Sequence, residues 1–263
     1  MDTDFILTPG GYRHRSLVHR VAPGHVVRLT SKGAQVLDLA TNVSEDIPEP
    51  TMALGKFPAL GSGWIAASYW NNTTRRAITS FRTTWQVPAE PSTSSGQLIY
   101  LFNGITRFSS NSAILQPVLQ WGYSPDGGGP NWAVASWYVH TTGQAFYTPL
   151  VKANVGDTLV GVMTLTGRSG ARFSYSSVFQ GIAGTSLAVQ DIDELLWCSE
   201  TLEAYGITQC SDYPASRLTA FREISIEADN LAPNVAWEVE NSVTDCGQRA
   251  EVVSNSEVDI YYR

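Results

Sequence analysis

Two glutamines and one glutamate are the side chains of this 263-residue chain best placed to do chemistry. Gln116 and Gln120 interrupt an apolar run between residues 111 and 122, and their spacing puts both amides on one face of a β-strand. A buried amide without hydrogen-bond partners costs about 1 to 3 kcal/mol. We therefore expect the two amides either to be fully bonded or to line a wetted cleft.

Glu203 is the carboxyl group that could work with such amides. It follows Leu202 and comes shortly before Tyr205 in a segment that reads as a strand. A carboxyl near aromatic rings and away from water has a raised pKa and can act as a general acid or base. The local sequence is equally compatible with an exposed acid on a strand.

The familiar catalytic and metal-binding motifs are absent from the sequence. It contains no GxSxG, no HExxH, no P-loop and no dinucleotide-binding glycine pattern that opens a helix after a strand. The three cysteines, Cys198, Cys210 and Cys246, lack metal-ligand spacing. We expect no metal and no cofactor, free thiols by default, and at most one disulfide.

Composition favours strands over helices and excludes some partners. Charged residues make up 16% of the chain, while Trp, Tyr, Phe, Thr, Ser and Gly are plentiful. The net charge of −7 comes without a basic stripe, which argues against a nucleic-acid partner. No apolar run is long enough to span a bilayer, and residues 1–20 lack a secretory signal. The expectation is a cytoplasmic or leaderless protein, secreted only if the sequence was trimmed.

The order of strand-like runs and turns predicts an all-β fold. From Trp64 to the C-terminus, short β-rich runs alternate with turn segments such as "PAEPSTSSG" and "SPDGGGP", a pattern typical of an antiparallel sandwich or jelly roll. We predict a sandwich over residues 64–263, preceded by an N-terminal extension and connector over residues 1–63. The segment "VQDIDELLWCSETLEAYG" is predicted to begin as a short helix and to become a strand by Thr201.

The N-terminal extension is locally basic, unlike the acidic body. This contrast suggests two structures for it: a cover over the functional face of the sandwich, or extra strands at the edges of the sheets. The charged side chains concerned are Arg13, Arg15, Arg20, Arg28 and Lys32, against Asp2, Asp4 and Asp38.

Several short motifs resemble the glutamic peptidase family, the eqolisins. They are "TTWQVP", "LIYLFNG", "AILQ", "ASWYV", "VGDTLVGVMTLTG" and "LEAYG", and the similarity runs from about Trp64 to Ile226. The resemblance implies a concanavalin A-like sandwich of two curved antiparallel sheets and an acid-active, metal-independent endopeptidase of fungal type.

The same resemblance implies roles for individual residues. Gln116 maps onto the catalytic glutamine and Glu203 onto the catalytic acid, which would activate water and protonate the leaving amine at low pH. Positions where the family holds further acids fall on Asn103, Gln120 and Ser136, all neutral. The residues expected to line the substrate cleft are Asn103, Gln120, Trp132, Ser136 and Tyr138.

Two other functions fit the same residues. A sandwich face rich in indoles and amides suits sugars, because aromatic rings stack on pyranoses and amides bond hydroxyl groups. This interpretation predicts a lectin-like carbohydrate-binding protein. An acid and amide pair could equally serve a non-proteolytic enzyme acting on a small molecule. The expected partner is thus a peptide, a carbohydrate or a small molecule.

Overall fold

The computed structural model describes residues 4–50, 63–107, 113–124 and 127–263. Across these ranges there are two short 3₁₀ helices, at Arg15–Leu17 and Cys210–Asp212, and no α-helix. The strands are β1 (Phe5–Thr8), β2 (Gly11–His14), β3 (Val18–Arg20), β4 (His25–Thr30), β5 (Gly33–Asp38), β6 (Ser44–Pro48), β7 (Trp64–Asn71), β8 (Ile78–Gln86), β9 (Leu98–Arg107), β10 (Ala113–Ser124), β11 (Gly127–Val139), β12 (Ala145–Tyr147), β13 (Val151–Lys152), β14 (Thr158–Ser169), β15 (Arg172–Phe179), β16 (Leu187–Ile192), β17 (Trp197–Tyr205), β18 (Leu218–Ala228), β19 (Glu238–Asn241), β20 (Arg249–Ser254) and β21 (Glu257–Tyr261).

Two large sheets form a sandwich, which confirms the predicted all-β fold. The nine-stranded sheet has the order β19-β7-β17-β9-β10-β11-β12-β3, with β13 paired to β11. The ten-stranded sheet has the order β20-β21-β18-β8-β14-β15-β16-β4-β5-β6. Their facing sides share one apolar core that includes Phe81, Leu101 and Phe179. The alternation of apolar residues along each strand supplies this core.

The N-terminal region forms extra strands at the edges of both sheets, which is one of the two structures predicted for it. Strands β4 to β6 extend the ten-stranded sheet, and β3 joins the edge of the nine-stranded sheet. The pairings β3 with β12 and β4 with β16 are parallel, whereas the other ladders are antiparallel. Strands β1 and β2 stay outside both sheets as a hairpin, and Leu7 of β1 packs against the nine-stranded sheet.

The helix predicted at the start of "VQDIDELLWCSETLEAYG" is wrong. Strand β16 runs to Ile192 and β17 begins at Trp197, with a short connection between them. The apolar residues that suggested helical spacing, Ile192 and Leu195, are instead buried in the core between the sheets. Burial of the last residue of β16 and of a residue in the connection after it produced a spacing that mimics a helix face.

The cysteines form one disulfide rather than three free thiols. Cys210 and Cys246 are bonded, and Cys198 is a free, buried thiol on β17. The disulfide links the connection before β18 to the loop before β20. It therefore ties together two segments that lie near one end of the ten-stranded sheet.

A close contact between the sheets predicts a cost for enlarging Gly161 in β14. A Cβ there would lie 2.8 Å from both Pro117 Cγ and Trp85 Cη2 and would overlap Asn103 Oδ1. Gly161→Ala should lower the free energy of unfolding by about 1 to 3 kcal/mol, the usual range for overpacking. Gly167→Ala on the same strand is the control, since its Cβ would meet nothing closer than 3.8 Å. Equal midpoints in urea for the two variants would contradict this prediction.

Candidate functional site

Buried polar side chains gather on the outer face of the nine-stranded sheet, the face turned away from the ten-stranded sheet. Four of them, Tyr100, Gln116, Gln120 and Glu203, are each 0–1% exposed. They alternate with the core-facing residues of β9, β10 and β17 and share their face with a separate apolar cluster. We call these four residues the outer-face site.

The strand register aligns Glu203 with Gln120. Tyr100 on β9 lies opposite Gln120 of β10 and also opposite Glu203 of β17, so the three residues form one row across the sheet. At about 4.8 Å per strand, the outer two Cα atoms of this row are about 10 Å apart. Gln120 and Glu203 therefore lie on either side of Tyr100 on the same face of the sheet.

Gln116 lies in a different row, four residues along β10. The pairings of Leu115 with Ile105 and of Val118 with Phe102 put Gln116 level with Gly104 of β9. Gly104 in turn pairs with Ser199 of β17. Gln116 is therefore offset from Glu203 by about 13 Å along the strands, and a serine is its counterpart on β17.

Glu203 accepts hydrogen bonds from the N-terminal hairpin and from its own strand. The backbone N–H of Gly10 donates to its Oε1 at 2.7 Å, and the Tyr205 hydroxyl donates to the same oxygen. Burial raises the pKa of Glu203 to about 7, against which these hydrogen bonds and the charge of Arg13 act. The group can thus change protonation state near neutral pH.

The hairpin presents the Gly10 amide because of its turn. Pro9 at the second position and Gly10 at the third, with φ of +88°, are the pattern of a type II turn between β1 and β2. The Thr8 hydroxyl donates to Gly11 O at 2.9 Å and braces the turn. The turn's closing bond does not use the Gly10 N–H, so this donor is free to reach Glu203.

Arg13 enters the same site from β2. Its side chain is 2% exposed, and Nη1 donates to Gly143 O at 3.1 Å. Burial lowers the pKa of Arg13 to about 10, while the nearby Glu203 charge acts in the opposite direction. Arg13 is still a cation at neutral pH and supplies a countercharge for Glu203.

Several polar atoms at the outer-face site have no hydrogen-bond partner among the described residues. They are Gln116 Oε1, Gln120 Oε1 and the Tyr100 hydroxyl. Gln120 Nε2 donates to Gly122 O at 2.9 Å, which fixes the orientation of that amide. Buried polar atoms of this kind lower stability unless water or a ligand supplies their hydrogen bonds.

The structure does not bring the other predicted cleft residues to this face. Asn103, Trp132, Ser136 and Tyr138 lie between the two sheets, where Ser136 accepts a 3.0 Å hydrogen bond from Ser177 of β15. This corrects their expected placement in the cleft. Alternation grouped Trp132, Ser136 and Tyr138 rightly, but the sequence did not show which side of β11 faces the second sheet.

Sequence reasoning missed a second buried carboxyl. Glu200 on β17 points between the sheets, fully buried, and accepts a 2.6 Å hydrogen bond from Thr83 of β8. Burial raises the pKa of Glu200 well above its ordinary value. Glu200 is two residues from both Cys198 and Leu202, so all three share the core-facing side of the strand. This spacing was the sequence signal that could have identified it.

The described residues contain no group of three or more His, Cys, Asp and Glu side chains that could hold a metal ion. Over the same ranges, no helix has the length and apolar character needed to cross a bilayer.

Comparison with known proteins gives a match at the level of the fold. No family model and no curated protein matches the chain. Among solved structures it resembles scytalido-glutamic peptidase with a peptide-based transition state analog, at 16% identity and a TM-score of 0.51 over 76% of this chain and 98% of that one. A second structure of scytalido-glutamic peptidase, with a transition state analog inhibitor, gives 16% identity and a TM-score of 0.50 over 75% and 97%. The chain therefore has a distant glutamic-peptidase-like fold.

Proposed function

We propose that the protein is a peptide-bond hydrolase whose general base and acid is Glu203. The observation that carries the proposal is the row Gln120, Tyr100 and Glu203: a buried carboxyl of raised pKa across the sheet from a fixed amide. The likeness to proteins solved with transition-state analogues favours a peptide over other substrates.

In the proposed reaction, ionised Glu203 removes a proton from water as the water oxygen attacks the peptide carbonyl carbon. The carbonyl oxygen becomes an oxyanion and accepts a hydrogen bond from a side-chain amide. Glu203 then gives the proton to the amine as the C–N bond breaks. A substrate that replaces the hairpin would bury Glu203 again and so raise its pKa, which makes both its base and its acid form available in weakly acidic solution.

Gln120 and Gln116 are the two candidates for the amide that stabilises the oxyanion. The family resemblance favours Gln116, whereas the alignment with Glu203 favours Gln120. We assign the role to Gln120, because it lies in the same row as Glu203 and its Nε2 has a second hydrogen beside the one donated to Gly122 O. Gln116 would then bind the substrate further along the same strand.

We further propose that the described form is latent. The β1–β2 hairpin supplies the Gly10 N–H and the Arg13 cation to Glu203, so it occupies the place that a substrate must take. Displacing the hairpin would expose the carboxyl to water and substrate. Arg13→Glu should displace it, because the variant loses the buried hydrogen bond of Arg13 to Gly143 O and would have to bury a second carboxyl group near Glu203.

Casein hydrolysis tests both parts of this proposal. Denatured casein is incubated between about pH 2 and 8 with the wild type, with Arg13→Glu, and with Arg15→Glu as a matched charge control on an exposed residue. We expect Arg13→Glu to cleave at least tenfold faster than the other two. Within the Arg13→Glu background, Glu203→Gln should abolish cleavage, and Gln120→Ala should lower kcat by about 10² to 10³.

The controls separate the site from general effects of charge. Glu251→Gln in the Arg13→Glu background removes an exposed carboxylate and should leave the rate unchanged. Cleavage by no variant at any pH, or cleavage that survives Glu203→Gln, contradicts the hydrolase. A larger loss from Gln116→Ala than from Gln120→Ala would return the oxyanion role to Gln116.

Carbohydrate binding is the second candidate function. It is favoured by the aromatic side chains that share the outer face with the amides, among them Trp64, Phe102 and Trp137. Their rings could stack on sugars while Gln116 and Gln120 bond hydroxyl groups. A glycan array probed with the Arg13→Glu protein tests this function. Saturable glycan binding that Trp137→Ala removes, together with no casein cleavage, would favour it.

A further inference from the structure

The burial of Arg13 is the feature of the N-terminal hairpin that the latent form alone leaves unexplained. Arginine is almost never fully buried, yet this side chain is 2% exposed, with Glu203 as its nearby countercharge. The Gly10 amide already blocks Glu203 without any side chain. An anchor for the hairpin could have been an apolar residue, which would lose less hydration free energy on burial.

The pocket around Arg13 belongs to the sandwich body. Arg13 Nη1 donates to the Gly143 carbonyl, in the loop after β11, and the negative charge of Glu203 on β17 attracts the guanidinium group. Carbonyl and carboxylate oxygens match the donors of a guanidinium group. None of these groups comes from the hairpin, so the pocket does not depend on the hairpin to supply its acceptors.

Resting on the proposed function, we propose that this pocket is an arginine subsite for the peptide substrate. The hairpin then indicates how a substrate lies on the outer face. A backbone N–H occupies the place of the Gly10 N–H at Glu203, and an arginine follows three residues later. The residue at the Gly10 position should be glycine, because its φ of +88° strains any residue with a Cβ.

The first test asks whether the pocket selects a guanidinium group. Arg13→Ala in the full chain leaves the pocket empty, and thermal unfolding is followed while ethylguanidinium or ethylammonium is added. We expect a saturable rise in Tm with ethylguanidinium, at least twice that with ethylammonium. Arg15→Ala is the control, because Arg15 is exposed and its removal opens no pocket. Equal effects of both cations, or of both variants, would overturn the subsite.

The second test asks whether the pocket takes an arginine from another chain. A labelled peptide with the sequence of residues 4–16 is titrated into the Arg13→Glu protein, alongside the same peptide with alanine in place of its Arg13. We expect the arginine peptide to bind at least tenfold more tightly. Equal affinities would overturn the proposal even if ethylguanidinium rescues Arg13→Ala, since the pocket would then only anchor the hairpin.

Both tests measure binding, so their outcomes are distinguishable from failure of the hydrolase. A protein that binds the arginine peptide selectively but cleaves no casein keeps the subsite and loses the reaction. A protein that cleaves casein but binds both peptides equally keeps the reaction and loses the subsite.

Discussion

Glu203→Gln is expected to abolish a fall in stability of about 3 kcal/mol that Glu203 causes in the wild type between pH 4.5 and 7. The pKa of Glu203 is raised from 4.5 to about 7 in the folded state, so over this range the folded chain binds more protons than the unfolded chain. Stability therefore falls as pH rises, by about 1.4 kcal/mol per pH unit for one such group. Glutamine does not titrate, and its variant lacks this contribution.

Glu200 should contribute in the same direction. Its Oε2 and the Oδ1 of Asn103 both lack a hydrogen-bond partner among the described residues, and the two residues are directly paired on β17 and β9. Paired residues on one face hold their Cβ atoms about 5 Å apart. A protonated Glu200 can donate to Asn103, whereas an ionised one would oppose another acceptor in the core. The neutral form is therefore favoured, and Glu200→Gln should flatten the pH dependence as well.

The measurement is urea unfolding at several pH values for the wild type, Glu200→Gln, Glu203→Gln and the exposed control Glu251→Gln. Differences between variants are needed because a partly buried histidine acts in the opposite direction. Burial lowers the pKa of His140 to about 4, so its contribution to stability rises with pH between about 4 and 6.5. Wild-type and variant curves that run parallel from pH 4.5 to 7 would contradict the prediction for that carboxyl.

Loss of the Cys210–Cys246 disulfide is expected to lower the free energy of unfolding by about 4 kcal/mol. The bond spans 36 residues, and closing a loop of that length restricts the unfolded chain by roughly this amount. The double variant Cys210→Ser, Cys246→Ser removes the bond, and the wild type under reducing conditions is its matched control. The two should unfold at the same urea concentration.

Cys198 is the remaining cysteine, and we expect its thiol to play no part in the effect of reducing conditions. It is buried on β17, and burial with the nearby Glu200 charge raises the pKa of its thiol well above the ordinary value. It should not react with thiol reagents in the folded protein.

A Cys210→Ser, Cys246→Ser variant as stable as the oxidised wild type would contradict the disulfide prediction, because the loop constraint would then contribute nothing to stability.

Most of the correct predictions about the fold came from strand periodicity. Alternation along β10 correctly put Gln116 and Gln120 on one face, because side-chain direction in a strand depends only on position parity. The same rule grouped Trp132, Ser136 and Tyr138. Periodicity does not reveal which of the two faces meets the second sheet, so these three residues were expected in the cleft and lie in the core.

The register between strands that are far apart in the chain could not be predicted from the sequence. Whether Gln116 or Gln120 lies across from Glu203 depends on the registers of β10 with β9 and of β9 with β17. A shift of a few residues in either ladder would change the answer without altering any local pattern. The basic charge of the N-terminal region suggested a cover, but only the fold could bring Gly10 to Glu203.

The sequence by itself determined the all-β architecture, the shared face of the two glutamines and the choice of carboxyl, amide and aromatic groups as the chemistry available. These follow from residue type and from a repeat of two, which are local properties. Tertiary structure decided that Glu203 is buried with a raised pKa, that its row holds Tyr100 and Gln120, and that Arg13 fills a pocket beside it. Desolvation and register arise from contacts between residues far apart in the chain, and no local pattern encodes them.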